Sequence, residues 1–395
     1  MTPSLARRVR GVATVEDVVH WIESSFPPEL AESWDAVGLV CGRAQAAVRS
    51  IRVVVDVTEE VVANAIADEV DFVLAHHPLL LSGVSSVAPS DHKGRIIHDL
   101  IEHRIALYVA HTSADSARPG VSDALGNLLG VTDLRPLEPV ATQPLDKVTV
   151  YVPTAAVQPL LNALSQAGAG EIGNYERCAY VVAGRGTFVP KVGADPYVGR
   201  VGVAEEVEEQ RVEMVLPRAR RSDVVAALHE AHPYEEPAFD ITELAASDSH
   251  FPASAAVGVG IGRVGQLGEQ QSLRDFAEVV AATLPQTHHG VRVAGDLDSP
   301  VRTVALCGGS GDSLLDTATA SGADVYVTSD LKHHRVSEHL ADGGCAIIDV
   351  AHFASEYPWC DQTAAALSMW LAESDATVSV TVSSLVTDPW TAHLV

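Results

Sequence analysis

Short runs of apolar, often β-branched residues alternate with longer amphipathic segments along most of the chain. In the first third, apolar runs at 51–57, 72–75 and 105–110 predict buried strands. The segments at 59–68 and 94–104, which lie between them, have the spacing of amphipathic helices. Apolar strands separated by helices are typical of a mostly parallel sheet that is covered on both faces.

This alternation changes in the middle of the chain and returns near residue 255. The middle segment predicts a strand, a helix, two strands, a helix and a strand, which is the order of a ferredoxin-like sandwich. Beyond it, strands are predicted at 301–306, 324–328 and 346–350. We therefore predict an α/β fold with three parts: a first α/β lobe at 1–140, an inserted ferredoxin-like α+β domain at 145–246, and a second α/β lobe at 250–395.

A histidine and an acid follow one predicted strand in each lobe with the same spacing. His111 and Asp115 follow the strand at 105–110, and His352 and Glu356 follow the strand at 346–350. A spacing of four residues places both side chains on one face of a helical turn. In parallel sheets, ligands gather at the carboxyl ends of the strands, where these residues are expected.

Each of these stretches is preceded by another strand end that carries histidines. His76 and His77 follow the strand at 72–75, and His333 and His334 come shortly after the strand at 324–328. Imidazole and carboxylate are ligands of Zn, Fe, Mn and Co, so two facing lobes predict a site for two metal ions bridged by a carboxylate. The alternative is that duplication left histidines with separate packing roles.

The overall charge limits the classes of partner. The 395 residues carry a formal net charge of -26, which argues against nucleic acid or an anionic membrane as the main partner. No apolar run approaches the length of a membrane span or a signal peptide. Five scattered cysteines without a C-x-x-C pair fit reduced thiols, so we expect a cytoplasmic protein.

Two glycine-rich stretches are candidates for binding phosphate groups. Gly260, Gly262 and Gly265 match G-x-G-x-x-G, but the convincing helix start is several residues later at Ser272, so we favour a glycine-rich turn over a dinucleotide site. The stretch Cys307-Gly-Gly-Ser-Gly311 follows a predicted strand and precedes a predicted helix. Its backbone N–H groups could hold an anion, or it could be only a tight turn.

The stretch His232-Pro-Tyr-Glu-Glu236 also contains residue types that bind metals. A proline directly after a predicted helix is a common stop signal. We therefore interpret this stretch as the end of a helix, followed by acids before an edge strand.

Several of these motifs together resemble one family. They are His76-His77-Pro, His111-Thr-x-x-Asp115, Cys307-Gly-Gly-Ser-Gly311, Thr328-x-Asp330, His352-x-x-x-Glu356 and Trp34-Asp-x-Val-Gly-Leu39. The chain is identified by them as a member of the NIF-three-like family of dinuclear-metal proteins, the GTP cyclohydrolase 1 type 2 homologues. The middle segment, with Gly170-x-x-Gly173-Asn174-Tyr175 and the His232 stretch, resembles the PII/CutA-like insert of longer members.

The resemblance implies a ligand set and an assembly. The implied metal ligands are His76, His77, Asp115, His352 and Glu356, with Glu356 bridging both ions. In this ligand set His111 would support Asp115 rather than bind an ion, although the repeat alone ranks His111 equal to His352. Ser329 and His333 stand where members often have a glycine and an aromatic residue. Members are typically toroidal hexamers, so a homohexamer is implied.

Two functions are compatible with these features. The first is metal-dependent hydrolysis of a nucleotide or another phosphorylated small molecule, since paired ions activate water. In this hypothesis Glu356 is essential, His111 and His334 move protons, and Gly308, Gly309, Ser310 and Gly311 hold the anionic group. Cyclohydrolase activity is implied by the resemblance alone. The second is a non-catalytic metal-binding or regulatory assembly protein.

Overall fold

The computed structural model describes residues 12–139, 145–172, 175–244, 258–374 and 376–394. Gly173 and Asn174 of the middle motif therefore lie outside the described residues. The chain divides into two compact units, one formed by Met1–Val140 together with Gly258–Val395 and the other by Ala141–Val257. Across the described ranges, no helix is long and apolar enough to cross a membrane.

Helices and strands are numbered here in chain order. The strands are β1 (Gly38–Cys41), β2 (Ser50–Val54), β3 (Phe72–Ala75), β4 (Ala106–Val109), β5 (Val131–Pro139), β6 (Leu145–Pro153), β7 (Tyr180–Phe188), β8 (Glu205–Pro217), β9 (Phe239–Glu243), β10 (Gly260–Ser272), β11 (Val291–Ala294), β12 (Pro300–Ser310), β13 (Val325–Ser329), β14 (Ala346–Val350) and β15 (Ser379–Val382). The α-helices are α1 (Val15–Ser25), α2 (Glu59–Ala67), α3 (His92–Glu102), α4 (Thr112–Ser116), α5 (Val121–Leu128), α6 (Val157–Gln166), α7 (Arg221–Ala231), α8 (Leu273–Thr283), α9 (Leu315–Ala320), α10 (His333–Ala341) and α11 (His352–Glu373). Short 3₁₀ helices lie at Pro28–Leu30, Thr154–Ala156, Arg218–Arg220 and Asp312–Leu314.

The larger unit contains two sheets that share an arrangement of four strands. The first has the order β1-β4-β3-β2-β15 and the second β11-β14-β13-β12-β10-β5. In each, an antiparallel edge strand (β1 or β11) pairs with the last of three consecutive parallel strands. The mixed α/β architecture agrees with the alternation in the sequence.

The two sheets of the larger unit exchange strands at their edges. β5 comes before the middle segment in the chain but pairs with β10 in the second sheet. β15 comes near the end of the chain but pairs with β2 in the first sheet. A division of the sequence at the middle segment therefore does not separate the two sheets.

Buried apolar residues cover both faces of each sheet. One core packs α1, α11 and part of α5 against β2, β3 and β4, with Trp21, Trp359 and Trp370 among its residues. A second core packs α8 and the rest of α5 against β12, β13 and β14. The opposite faces are covered by α2 with α3 and by α9 with α10. Because α5 and α11 contribute to both inner cores, the sheets are fixed relative to each other.

The smaller unit has the predicted element order β-α-β-β-α-β. Its four antiparallel strands lie in the order β7-β8-β6-β9, and α6 and α7 pack on one face. α7 ends at Ala231, and the buried His232 ring contacts the Tyr151 carbonyl through Nε2 at 2.9 Å. This geometry agrees with interpreting the stretch after His232 as a helix end, and β9 is the edge strand expected after it.

The G-x-G-x-x-G motif lies inside strand β10, so the prediction of a glycine-rich turn is wrong. A Cβ at Gly260 or at Gly265 would lie 2.3 or 2.4 Å from a carbonyl oxygen of strand β5. Gly262 has a φ of 64° within the strand, a conformation that favours glycine. These glycines allow close pairing of β10 and β5. The next helix, α8, begins at Leu273 with Ser272 as its N-cap, as predicted.

Candidate metal centre

The carboxyl ends of parallel strands from both sheets meet at the Glu356 side chain. His76 and His77 follow β3 directly, and His111 caps α4 just after β4. His352 begins α11 just after β14 and places Glu356 one turn further along the same helix. The predicted spacing of four residues therefore becomes a contact between the His352 and Glu356 side chains.

The Glu356 carboxylate lies between three histidine rings. Its Oε1 is 3.0 Å from Nε2 of His352 and 3.3 Å from Nε2 of His76. Its Oε2 is 3.0 Å from Nε2 of His77. Glu356 is 3% exposed and His76 is fully buried, whereas His77 and His352 are partly exposed. Asp115 completes the group, with Oδ1 at 3.8 Å from Nε2 of His76.

The separations between these donor atoms fit metal ligation. Nε2 of His77 and Nε2 of His352 are 3.3 Å apart. Two ligand atoms at about 2.1 Å from one ion lie roughly 3.0–3.4 Å apart at octahedral or tetrahedral angles. Among the described residues, Nε2 of His76 and Oε2 of Glu356 are buried and have no partner in hydrogen-bonding geometry. Unpaired buried polar atoms are costly, and a bound cation would satisfy them.

The opposite nitrogen of each histidine is held by an oxygen. Nδ1 of His76 is 3.2 Å from the Ala110 carbonyl, which can only accept, so this Nδ1 carries the proton. Three carboxylates hold the other rings: Asp56 at 2.7 Å from His77, Asp330 at 2.6 Å from His352 and Asp35 at 2.8 Å from His111. A proton on Nδ1 leaves the Nε2 lone pair free for a metal ion, an arrangement common around metal-binding histidines.

Two of these carboxylates are themselves anchored by threonines. The Asp35 carboxylate accepts from the backbone N–H of Thr112 at 2.9 Å and from the Thr112 hydroxyl. The Asp56 carboxylate accepts from the hydroxyl of Thr387, which lies in the segment after β15. Residues from both ends of the chain therefore fix the orientation of the His77 and His111 rings.

The structure groups His111 with the predicted ligands rather than apart from them. Nitrogen atoms of His76, His77 and His111 lie within 4.8 Å of one another, as do ligand atoms of His77, His352 and Glu356. Both groups could hold a metal ion, and they share His77. The His111 carbonyl accepts from the backbone N–H of Asp115 at 3.2 Å, whereas the His111 ring contacts Asp35, so the role of this ring relative to Asp115 stays a prediction.

The charges of the site are strongly coupled. Burial would lower the pKa of both His77 and His352, but the nearby carboxylates outweigh this effect. Glu356 and Asp56 raise the pKa of His77 to about 11. Glu356 and Asp330 raise the pKa of His352 to about 10. Burial would raise the pKa of Glu356, but His77 and His76 hold it well below its usual value. Burial raises the pKa of Asp115 to about 6. Metal ions therefore compete with protons for these histidines.

The glycine-rich stretch at 307–311 differs from the predicted loop. The strand continues to Ser310 instead of ending at residue 306. The N–H groups of Gly308 and Gly309 donate to the hydroxyls of Ser122 at 3.3 Å and Ser355 at 2.9 Å, so these two groups are not free to hold an anion. A Cβ at Gly309 would lie 2.4 Å from Oε1 of Glu356. Glycine there leaves room for the Glu356 carboxylate.

His333 and His334 lie outside this group of side chains. Both are exposed in the first turn of α10, and their rings contact each other with centroids 5.2 Å apart. The contact with His352 comes instead from Asp330, directly after β13. Ser329 is buried, and its hydroxyl is 3.1 Å from the hydroxyl of Ser355 on α11. The serine therefore makes a contact with α11 that a glycine could not make.

Fold and site together define an α/β protein with a buried histidine–carboxylate centre suited to a metal ion. The family described as Duf34/NIF3 (NGG1p interacting factor 3) matches residues 13–389. The chain belongs to this family, and the resemblance seen in the sequence motifs is confirmed.

Named relatives and solved structures match nearly the whole chain. A protein of Mycobacterium leprae named GTP cyclohydrolase 1 type 2 homolog is 46% identical over 382 residues, covering 96% of this chain and 95% of the relative. A Bacillus cereus protein related to NIF3 has a TM-score of 0.74 at 35% identity, covering 96% of this chain and 99% of that one. The Staphylococcus aureus protein SA1388 has a TM-score of 0.77 at 28% identity, covering 97% and 99%.

Proposed function

We propose that the chain binds two divalent metal ions through His76, His77, Asp115, His352 and Glu356, with the Glu356 carboxylate shared between them. The observation that carries this proposal is that the Glu356 carboxylate faces three histidines, with Oε1 facing His352 and His76 and Oε2 facing His77. Histidine and carboxylate ligands without a thiolate suit Zn, Fe, Mn or Co. His111 is a further candidate ligand, since its ring is grouped with His76 and His77.

The proposed activity is hydrolysis of a nucleotide or another phosphorylated small molecule. Bound ions would supply Lewis-acid activation of a water molecule and of the bond that it attacks. The chain itself supplies orientation, since Asp35, Asp56 and Asp330 fix three rings. We assign proton movement to His111, which Asp35 holds in place, and to His334, which is accessible to solvent. The name carried by the relatives supports a substrate of the GTP type.

A hydrolysis screen combined with metal analysis tests this function. Protein purified anaerobically and loaded with Zn, Mn or Fe is assayed against GTP and a panel of phosphorylated metabolites. We expect turnover that Glu356→Ala abolishes and that Glu373→Gln preserves, because Glu373 is exposed at the far end of the same helix. If the metal-loaded protein shows no turnover, or only turnover that does not depend on Asp115 and Glu356, the hydrolase function is excluded. The non-catalytic alternative then remains.

The alternative function, a metal-binding or regulatory assembly protein, draws support from the smaller unit. Its element order is the one expected of a PII/CutA-like module. We propose that residues 145–246 form such a module. Many large apolar side chains around β7 and the segment after it are exposed and lie outside the cavity described below, as is common at protein interfaces; they are Tyr175, Tyr180, Val181, Val189, Val192, Val201 and Val203.

This exposed apolar surface supports self-association of the chain. We propose that the chain forms a homohexamer, as the family resemblance implies. Light scattering coupled to size-exclusion chromatography should give about six chains per particle. A monomer at micromolar concentration would exclude this assembly without bearing on the metal site. We further propose a cytoplasmic location, since all five cysteines are free thiols.

A further inference from the structure

A cavity of about 590 Å³ lies within the smaller unit. Its walls are strand β7, the segment at 190–198 and the turn at 234–238, with Tyr151, Glu209 and Arg211 at its base. All of these residues belong to Ala141–Val257, so the cavity is separate in sequence from the candidate metal ligands. Its volume falls in the range of about 300–1,000 Å³ that is usual for small-molecule sites.

The cavity exists because strand β7 lacks side chains at two consecutive positions of one face. Val182, Gly184, Gly186 and Phe188 alternate along the strand and share that face. The two glycines leave a gap between the larger residues. Glu209 pairs opposite Gly184, and a Cβ at Gly186 would lie 2.1 Å from Oε2 of Glu209. The missing side chains therefore make room for both the carboxylate and the open space beside it.

Aromatic rings form one wall of the cavity. The Tyr234 ring lies with its centroid 6.2 Å from that of Phe188 and 6.0 Å from that of Tyr197. Tyr197 is 61% exposed, so part of this wall is open to solvent. Aromatic faces of this kind bind flat rings by stacking and attract cations through the π system.

A buried carboxylate forms the polar end of the cavity. Glu209 is 8% exposed, and its Oε1 accepts from the Tyr234 hydroxyl at 2.8 Å. A tyrosine hydroxyl is neutral, so this hydrogen bond orients the carboxylate without cancelling its charge. A nearly buried anion of this kind favours a ligand that brings a positive charge or several N–H donors.

The two arginines that line the cavity are paired with acids that do not line it. Arg185 is 2.6 Å from Glu206, and Arg211 is 2.6 Å from Glu213. Glu235 and Glu236 add further negative charge to the lining. The cavity therefore presents a negative field to its contents, which selects against anionic ligands.

We propose that this cavity binds a small molecule with a flat aromatic or heteroaromatic ring and a cationic, N–H-donating edge. The ring packs against Tyr234 and Tyr197, and the edge donates to Glu209. This assignment is independent of the metal-dependent function proposed above, because it involves none of the candidate metal ligands.

Benzamidine is a suitable probe, because it joins a flat ring to an amidinium edge that can donate to both carboxylate oxygens. Full-length protein in its native assembly is titrated with benzamidine by calorimetry and by ligand-observed NMR. We expect saturable binding with a dissociation constant of about 1 mM, typical of a fragment-size ligand. Benzoate, which has the same ring and the opposite charge, should not bind.

Three variants locate the binding. Glu209→Gln should weaken benzamidine binding about tenfold or more, because it removes the charge from the acceptor. Ala194→Trp should abolish binding by filling the cavity while leaving Glu209 unchanged. Glu208→Gln, next to Glu209 on β8 but exposed and outside the lining, is the matched control and should bind like the wild type. Circular dichroism and melting temperature establish that each variant is folded.

Specific outcomes would overturn the proposal. These are no saturable binding of benzamidine by the folded wild type, equal binding of benzoate, or an equal loss in Glu208→Gln and Glu209→Gln. If Glu209→Gln does not fold, Ala194→Trp decides alone, and unchanged binding by that folded variant rejects the site.

Discussion

At the scale of single residues, the candidate metal centre depends on side chains that hold its histidines. Asp56 contacts Nδ1 of His77 at 2.7 Å and is itself anchored by Thr387. We predict that Asp56→Asn lowers the affinity for a divalent ion about 10- to 100-fold, as is usual when the carboxylate behind a histidine ligand is lost. Competition with a chromophoric chelator measures this affinity.

The control for Asp56→Asn is Glu60→Gln, an exposed acid in α2. It should leave the affinity unchanged and so separate local orientation from a change in net charge. Equal affinities for the wild type and Asp56→Asn would mean that Asp56 does not position His77.

A substitution at Gly309 tests whether the candidate metal centre needs the open space beside the Glu356 carboxylate. Gly309→Ala should abolish metal binding, because its Cβ would lie 2.4 Å from Oε1 of Glu356. Gly322→Ala is the matched control: both glycines have a positive φ, 72° and 81°, but a Cβ at Gly322 meets no atom within 4 Å. The control should lose about 1 kcal/mol of stability and still bind metal. Metal binding retained by Gly309→Ala would contradict this account.

At the scale of elements, helix α11 joins the candidate centre to the core. Trp359, one turn after Glu356, is fully buried, with its ring centroid 5.3 Å from that of His76 and 5.7 Å from that of Phe26. We predict that Trp359→Ala lowers the free energy of unfolding by about 3–5 kcal/mol and weakens metal binding, because a cavity opens beneath His76.

Urea unfolding measures the effect of Trp359→Ala. Met369→Ala on the same helix is the control, since Met369 is 56% exposed and should change the free energy of unfolding by less than about 0.5 kcal/mol. If both variants lose a similar free energy of unfolding, the packing of Trp359 beneath His76 does not determine the stability of the fold.

The sequence predicted the strands that carry the site residues, but it did not predict the contacts and strand pairings between distant parts of the chain. Local hydrophobic pattern places β3, β4, β13 and β14 and therefore the strand ends that carry the histidines. The role of Asp56 was missed because a single acid after a strand has no local signal, and its partner Thr387 is 331 residues away. The exchange of β5 and β15 between the sheets was missed for the same reason, since pairing between distant strands leaves no local period.

Strand β12 shows a second limit. Four of its last five residues are Cys, Gly, Gly and Ser, which predict a loop because glycine weakens a strand. In the fold, Gly308 and Gly309 are required because Val121 and Glu356 lie too close for any side chain. Contacts between elements outweigh local propensity there.

At the scale of the whole molecule, the stability of the smaller unit should depend on pH through the ionisation of Asp146. The hydrogen bond from Arg221 lowers the pKa of Asp146, and burial opposes this effect. With a second hydrogen bond from Arg218, the pKa of Asp146 stays below its usual value. Because the pKa is lower in the folded state, the stabilisation is present above the unfolded pKa near 4 and is lost as the pH falls below it.

We therefore predict that Asp146→Asn lowers the melting temperature at pH 7 and that its difference from the wild type shrinks below about pH 4. Asp240→Asn is the control, because Asp240 is exposed on the neighbouring strand β9. Differential scanning calorimetry at both pH values measures the change. A difference between the wild type and Asp146→Asn that is the same at both pH values would show that the ion pairs do not provide the stabilisation.

The central claim is that two facing sheets assemble one centre for two metal ions. Metal quantification after anaerobic purification tests this claim most directly, in the wild type and in His76→Ala, His352→Ala and Glu356→Ala. We predict about two divalent ions per chain in the wild type and a marked loss in each variant. Less than about one ion per chain, with no loss on changing His76 or His352, would contradict it.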